Sequence, residues 1–121
     1  TLLIGDLAAL HDLNSLAMLR DISVPVVIVV LNNGGGGIFS FLPIAQHKDV
    51  FEKYFGTPHS YTLANAGAMF ELNYTQAMDV KHFSKAYHQA IKSSTSTIIE
   101  VVTNREENLK LHKILQVKIA F

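Results

Sequence analysis

Six consecutive apolar residues, VVIVVL at positions 26–31, constrain the fold more than any other stretch of the chain. Most of them are β-branched, which favours an extended strand over a helix. A strand that is apolar on both faces is typical of a parallel sheet with helices packed on each side. Residues 1–5 and 97–103 are similar stretches. They predict further strands of the same sheet.

Helical periodicity separates the predicted strands. Apolar spacing predicts helices over residues 11–22, 62–71 and 79–92, and Asn104 with Glu107 resembles a capping box that begins a last helix. A short strand is expected at residues 73–76. The alternation of strands and helices predicts the α/β class, with an open, mainly parallel sheet covered by helices on both faces. We expect a single domain over residues 1–121.

The composition excludes several classes of function. Hydrophobic residues make up 49% of the chain and charged residues 17%, which supports a packed core rather than disorder. The formal net charge is +0, so no basic surface argues for nucleic acid or an anionic membrane. Cysteine is absent, which excludes disulfides and thiolate metal sites and fits a reducing, cytoplasmic location. No apolar run approaches the roughly 18 to 20 residues that a membrane span needs.

Polar residues and glycines follow two of the predicted strands. Gly5-Asp6 ends the first strand, and Asn-Asn-Gly-Gly at positions 32–35 follows the second. Ligands of open parallel sheets bind at this carboxyl edge. Carboxylate and amide oxygens suit Mg²⁺ or Ca²⁺, the N–H groups that begin the next helix favour phosphate, and glycines let the backbone approach both. These residues favour a metal–diphosphate site. Plain turns, in which Asn32 and Asn33 cap backbone groups, are the alternative.

The same pattern resembles the motif of thiamine diphosphate enzymes, which begins with Gly-Asp-Gly and ends with Asn-Asn after an intervening helix and strand. The resemblance implies that Asp6, Asn33 and the Gly35 carbonyl bind Mg²⁺, with Mn²⁺ as a possible substitute. It also implies contacts between the diphosphate and the first helical turn. The residues that it places at the cofactor are Gly5, Asp6, Leu7, Ala8, Asn33, Gly35, Gly36, Ile38 and Phe39.

Three segments narrow the resemblance within that group: GDLAALHDLNSL at 5–16, NNGGGGIFSFLP at 32–43 and FGTPH at 55–59. Together they resemble the SEPHCHC synthase (MenD) family of menaquinone biosynthesis. The likeness covers nearly the whole chain, and IFSFLP is its most discriminating part. Leu7, which replaces the glycine of most thiamine enzymes, agrees with this family. Ala8 departs from it, because many members have serine there.

The resemblance implies a thiamine diphosphate-dependent transferase, a carboligase that decarboxylates 2-oxoglutarate and adds the product to isochorismate. It implies that Ile38, Phe39 and Leu42 wall the substrate pocket, although ordinary core packing is an alternative for all three. No catalytic residue is assigned within the chain. His11 is a weak acid–base candidate, for which a role in orienting the loop is favoured. His59 could face the active site or pack a turn.

The activating glutamate and the substrate-binding arginines of the family cannot be placed in this chain. We therefore expect it to be the C-terminal, diphosphate-binding part of a longer enzyme that forms a homodimer or homotetramer, and to be inactive alone. Two other hypotheses stay open. One is a domain of another thiamine diphosphate-dependent decarboxylase or carboligase, and the other is a non-catalytic, flavodoxin-like binding domain.

Overall fold

A computed structural model describes residues 1–119. Its four strands are β1 (Leu2–Gly5), β2 (Val27–Asn32), β3 (Asn73–Ala77) and β4 (Thr97–Val102). They form one sheet in the order β1-β2-β4-β3, and every neighbouring pair is parallel. The predicted α/β class with a parallel sheet is confirmed. The two strands that are apolar on both faces, β2 and β4, occupy the centre of the sheet.

Residues 1–119 contain five α-helices: α1 (Asp6–His11), α2 (Lys48–Phe51), α3 (Ala64–Met69), α4 (Val80–Ala90) and α5 (Arg105–Ile119). Segments of 3₁₀-helix lie at Leu13–Arg20, Gly37–Phe41 and Pro43–Gln46, and a π-helical turn lies at Glu52–Gly56. Within residues 1–119, no helix has the length and apolar character that crossing a membrane requires.

The chain forms two compact units. The first unit comprises residues 1–32 and 61–102, and it holds the whole sheet with α1, α3 and α4. The second unit comprises residues 33–60 and, within the described part of the chain, residues 103–119, and it holds α2, α5 and the helical turns between residues 37 and 56. A single domain over residues 1–121 stays a prediction, and its last two residues lie outside the described part of the chain.

Alternate side chains of the central strands fill two separate cores within the first unit. One core contains Ile28, Val30 and Ile98 together with Leu16, Leu63, Ala66 and Leu72. The other contains Val27, Val29 and Ile99 together with Ala77, Ala86 and Ala90. Because successive strand residues point to opposite faces, burial on both faces requires the unbroken apolar run that the sequence shows.

The helix predicted over residues 11–22 was wrong in position and type. The α-helix begins earlier, at Asp6, and residues Leu13–Arg20 form a 3₁₀-helix. Leu13, Leu16 and Leu19 are the residues of this segment that pack on the core, and they recur at every third position. A spacing of three matches the period of a 3₁₀-helix, whereas an α-helix would mix spacings of three and four.

Candidate functional site

The carboxyl ends of β1 and β2 are neighbours, because Gly5 pairs with Leu31 in the parallel register. Asp6, the first residue of α1, is 3% exposed, and its Oδ1 accepts a hydrogen bond of 2.8 Å from the Leu7 N–H. The Leu7 N–H, which belongs to the backbone that the family resemblance places at the diphosphate, therefore already donates to Asp6. Ala8 and Gly5 are both exposed at this edge.

Asn32, the last residue of β2, is buried and uses both hydrogens of its amide. Its Nδ2 donates to the backbone oxygen of Tyr61 at 2.9 Å and to Oε1 of Glu100 at 2.6 Å. The first of these two hydrogen bonds joins Asn32 to a backbone oxygen, as the turn alternative expects. The other contact, with a carboxylate on β4, was not expected from the sequence.

Glu100 is fully buried in the middle of β4. Its Oε2 accepts hydrogen bonds from the Leu63 N–H at 3.2 Å and from the Tyr74 hydroxyl at 2.5 Å. Burial and the hydrogen bond to Glu100 hold the pKa of Tyr74 well above its usual value. Sequence reasoning missed this carboxylate. The available signal was a charged residue inside the apolar strand IIEVV, since buried charges require partners.

The glycine loop of the second unit is shaped by the segment FGTPH. Gly35 has a φ of +139°, and a Cβ on it would lie 2.3 Å from the carbonyl oxygen of Gly56. A Cβ on Gly36 would lie 2.3 Å from the carbonyl oxygen of Phe55, and the Gly36 N–H donates to the Gly56 oxygen at 2.7 Å. Side chains are therefore excluded here by neighbouring backbone, a reason that the sequence did not reveal.

Asn33 presents an acceptor that protein groups do not satisfy. Its Oδ1 is buried and has no hydrogen-bond partner among residues 1–119. Gly37 makes room for this amide, because a Cβ on Gly37 would lie 2.5 Å from Nδ2 of Asn33. Buried polar atoms of this kind are uncommon and need an explanation, such as an ion. The site thus offers a hard oxygen donor at the first position after the strand-end Asn32.

The Gly35 carbonyl oxygen, also expected at the metal, accepts a hydrogen bond of 2.9 Å from the Gly37 N–H. A carbonyl oxygen has two lone pairs, so this bond does not by itself prevent metal ligation. Gly35 and Gly36 are both buried.

The expected pocket residues Ile38, Phe39 and Leu42 differ in their surroundings. Ile38 is 74% exposed and Leu42 is 50% exposed, so neither packs in a core. The ring of Phe39 meets the ring of Phe55 edge-on, with centroids 5.8 Å apart. Phe39 is half-buried and packs on Phe55 outside both cores, whereas the side chains of Ile38 and Leu42 are exposed.

Two histidines singled out in the sequence occupy different environments. His11 is exposed at the last position of α1. His59 is half-buried. Its backbone N–H donates to the Gly34 carbonyl oxygen at 3.2 Å, so its backbone contacts the glycine loop.

Both arginines of the chain are engaged in ion pairs. Arg20 lies 3.6 Å from Glu71, and Arg105 lies 2.9 Å from Glu52. Arg105 also donates to the Gly56 oxygen at 3.5 Å. Neither guanidinium is therefore available to a substrate without giving up a protein carboxylate.

A family described as the C-terminal TPP binding domain of thiamine pyrophosphate enzymes matches residues 1–101, and the chain belongs to it. Thiamine diphosphate is the cofactor of this family.

The relatives narrow the class further. The chain is 56% identical over 115 residues to the 2-succinyl-5-enolpyruvyl-6-hydroxy-3-cyclohexene-1-carboxylate (SEPHCHC) synthase of Rubrobacter xylanophilus, covering 95% of this chain. It is 52% identical over 119 residues to the synthase of the same name from Chlorobium chlorochromatii, covering 98% of this chain. Each match covers 20% of the relative, so the chain spans about a fifth of the length of these relatives.

Solved structures agree on the fold. A thiamine diphosphate-dependent 4-hydroxybenzoylformate decarboxylase of Rhodococcus jostii RHA1 aligns with a TM-score of 0.73 and 25% identity, over 84% of this chain and 19% of that chain. The benzoylformate decarboxylase of Polynucleobacter necessarius aligns with a TM-score of 0.74 and 17% identity, over 85% and 19% respectively. The second likeness supports the fold alone.

Proposed function

We propose that this chain is the diphosphate- and Mg²⁺-binding domain of a thiamine diphosphate-dependent SEPHCHC synthase. The whole enzyme decarboxylates 2-oxoglutarate and joins the product to isochorismate in menaquinone biosynthesis. One observation carries the proposal: relatives bearing that name are 56% and 52% identical over 95% and 98% of the chain. The decarboxylase structures reach only 25% and 17% identity.

The proposed metal ligands are the Asp6 carboxylate, Asn33 Oδ1 and the Gly35 carbonyl oxygen. The buried, unsatisfied Oδ1 of Asn33 supports this set, because a bound cation would supply the partner that protein groups do not. All three donors are hard oxygens, which suit Mg²⁺ and also Mn²⁺. No cluster of three or more His, Cys, Asp or Glu side chains within residues 1–119 offers a competing metal site.

The register of β1 and β2 brings the ends of these two strands together within the first unit. Gly5 pairs with Leu31, so both strands end at the same edge of the sheet. Asp6 directly follows Gly5, and Asn33 directly follows the strand-end residue Asn32. We propose that the diphosphate contacts the metal and the backbone around Gly5, Leu7 and Ala8, and that Gly36 lies at the cofactor; within the protein itself, the Leu7 and Gly36 N–H groups donate to Asp6 and to the Gly56 carbonyl oxygen.

Thiamine diphosphate, when bound, supplies a carbon nucleophile and an electron sink for the decarboxylation. The chain's own residues bind and orient. Asp6, Asn33 and Gly35 hold the metal, and Ile38 with Leu42 presents apolar surface that excludes water from the reacting centre. We propose no proton transfer by His11, because its exposed position at the end of α1 favours an orienting role.

We further propose that the activating glutamate and the carboxylate-binding arginines belong to other parts of the whole enzyme. The ion pairs of Arg20 with Glu71 and of Arg105 with Glu52 support this division for the arginines. A homodimer or homotetramer with the cofactor between domains is part of the same proposal, as are a cytoplasmic location and the inactivity of this chain alone.

Calorimetric titration of thiamine diphosphate into the full-length protein, with Mg²⁺ and then with chelator, tests the proposal. We expect binding that requires the metal, and turnover of 2-oxoglutarate with isochorismate but not of benzoylformate. Asp6→Ala is expected to weaken metal-dependent binding by about 100-fold or more, since it removes a charged ligand. Asp21→Ala, which changes an exposed carboxylate, is the matched control.

The other outcomes separate the alternatives. Turnover of benzoylformate without reaction of isochorismate would indicate another decarboxylase or carboligase of the same cofactor class. Absence of thiamine diphosphate binding by the full-length protein at every metal concentration would indicate a non-catalytic binding domain. Unchanged affinity in Asp6→Ala would refute the metal assignment.

A further inference from the structure

The buried carboxylate of Glu100 binds Asn32, the last residue of β2. Glu100 lies on β4 opposite Val30 of β2 and is 0% exposed. Its two oxygens accept hydrogen bonds from Asn32 Nδ2 at 2.6 Å, the Leu63 N–H at 3.2 Å and the Tyr74 hydroxyl at 2.5 Å. Burying a carboxylate is costly, and an apolar residue would fill the strand at lower cost. A network of this kind therefore suits a role in fixing one specific conformation.

Asn32 connects Glu100 to the path of the backbone. Its Nδ2 has two hydrogens, one donated to Glu100 and the other to the Tyr61 carbonyl oxygen at 2.9 Å. Residues 33–60 leave the first unit directly after Asn32 and return directly before Tyr61. The Asn32 amide thus links the residue before this segment to the residue after it, and the segment carries Asn33 and the glycine loop.

We propose that Glu100 is a positioning residue for the metal site, acting through Asn32. By orienting the Asn32 amide it fixes the backbone from which the next residue, Asn33, presents its Oδ1. Groups that orient metal ligands contribute strongly to metal affinity, and their loss typically weakens it by about 10- to 100-fold. This inference rests on the proposed function, because it presupposes the metal at Asn33.

A carboxylate is required at this position because all three partners of Glu100 approach as donors. A glutamine has nearly the same shape but offers one oxygen and one NH₂ group. If its NH₂ group faces Asn32, two donors meet there, and if it faces the other way, it meets the Leu63 N–H. Glu100→Gln therefore disturbs the hydrogen-bond pattern with little change in volume.

The test measures Mg²⁺ affinity in the full-length enzyme at saturating thiamine diphosphate, together with the melting temperature. We expect Glu100→Gln to weaken Mg²⁺ binding by about 10- to 100-fold, with turnover restored at high Mg²⁺. The matched control is Ile99→Val, which alters a fully buried neighbour on the same strand that belongs to the opposite core. It is expected to lower the melting temperature while Mg²⁺ affinity stays within about twofold.

A second variant tests the path through Asn32. We expect Asn32→Ala to weaken Mg²⁺ binding about as much as Glu100→Gln, and the double variant to add little, because both changes break one coupled contact. If Glu100→Gln does not fold, Asn32→Ala alone decides by the same readout.

Two results would overturn the inference: Mg²⁺ affinity of Glu100→Gln equal to that of Ile99→Val, or wild-type affinity in Asn32→Ala. Failure of the proposed function has a different signature, since the wild-type enzyme would then bind thiamine diphosphate without requiring Mg²⁺, or not at all.

Discussion

The carbonyl oxygen of Gly56 lies where the side chain of any other residue at position 35 would begin. A Cβ on Gly35 would be 2.3 Å from that oxygen, and the φ of Gly35 is +139°. A real Cβ never approaches an oxygen so closely, and side-chain-bearing residues rarely adopt this backbone conformation. Position 35, in the loop that carries Asn33, therefore requires glycine for two reasons: a side chain has no room there, and the backbone conformation disfavours one.

Gly35→Ala is expected to lower stability by about 3 kcal/mol, from roughly 1 to 3 kcal/mol of steric conflict and roughly 1 to 2 kcal/mol of backbone strain. The melting temperature of the cofactor-free, full-length enzyme measures the effect. Gly5→Ala is the control for stability, because nothing lies within 4 Å of a Cβ at that position. Equal melting temperatures for the two variants would show that residues 55–57 do not constrain the loop.

The central strands could be predicted from the sequence, whereas their polar partners could not. The unbroken apolar run of β2 is typical of a strand covered on both faces, and the apolar residues on either side of Glu100 indicate the same for β4, so both strands could be predicted from local pattern. Glu100 meets Asn32 and Tyr74 only after three strands have paired, and no local pattern encodes that meeting. The glycines of residues 34–37 were recognised as important, but the tight contact of Gly35 and Gly36 with residues 55–56 also depends on tertiary structure.

The Arg105–Glu52 ion pair should contribute more to stability than the Arg20–Glu71 pair. The Arg105 side chain is 19% exposed and 2.9 Å from Glu52, whereas the Arg20 and Glu71 side chains are 62% and 65% exposed and 3.6 Å apart. We expect Arg105→Met to cost about 1 to 2 kcal/mol, and Arg20→Met less than about 0.5 kcal/mol.

Hydrogen–deuterium exchange of residues 52–57 measures this difference locally. The Thr57 N–H donates to the backbone carbonyl oxygen of Glu52 at 2.8 Å. It should exchange about tenfold faster in Arg105→Met and at the wild-type rate in Arg20→Met. Faster exchange of this segment in both variants would indicate a general loss of stability. No change in either variant would show that Arg105 does not stabilise residues 52–57.

Tyr74 should make stability depend on alkaline pH. Burial and the hydrogen bond to Glu100 raise its pKa above the ordinary value of 10.0. The stabilisation that Tyr74 contributes is therefore fully present below pH 10.0 and is lost as pH rises through the folded-state pKa, because only the unfolded chain releases the proton easily. Melting temperatures of the wild type and Tyr74→Phe, compared from about pH 9 to about pH 11, isolate this group from the lysines. The gap between them should narrow with rising pH, and a constant gap would contradict the raised pKa.

Ile38 and Phe39 are neighbours in sequence but should respond differently to truncation. Ile38 is 74% exposed, so Ile38→Ala leaves no cavity, and the melting temperature should stay unchanged. If the side chain walls the substrate pocket as proposed, kcat/KM for 2-oxoglutarate or isochorismate should fall by about tenfold, the usual effect of trimming an apolar pocket. Phe39 packs on Phe55 with ring centroids 5.8 Å apart, so Phe39→Ala, unlike Ile38→Ala, should lower the melting temperature. If Ile38→Ala keeps the wild-type kcat/KM for both substrates, Ile38 does not line the pocket and is an ordinary exposed apolar side chain, as protein surfaces commonly have.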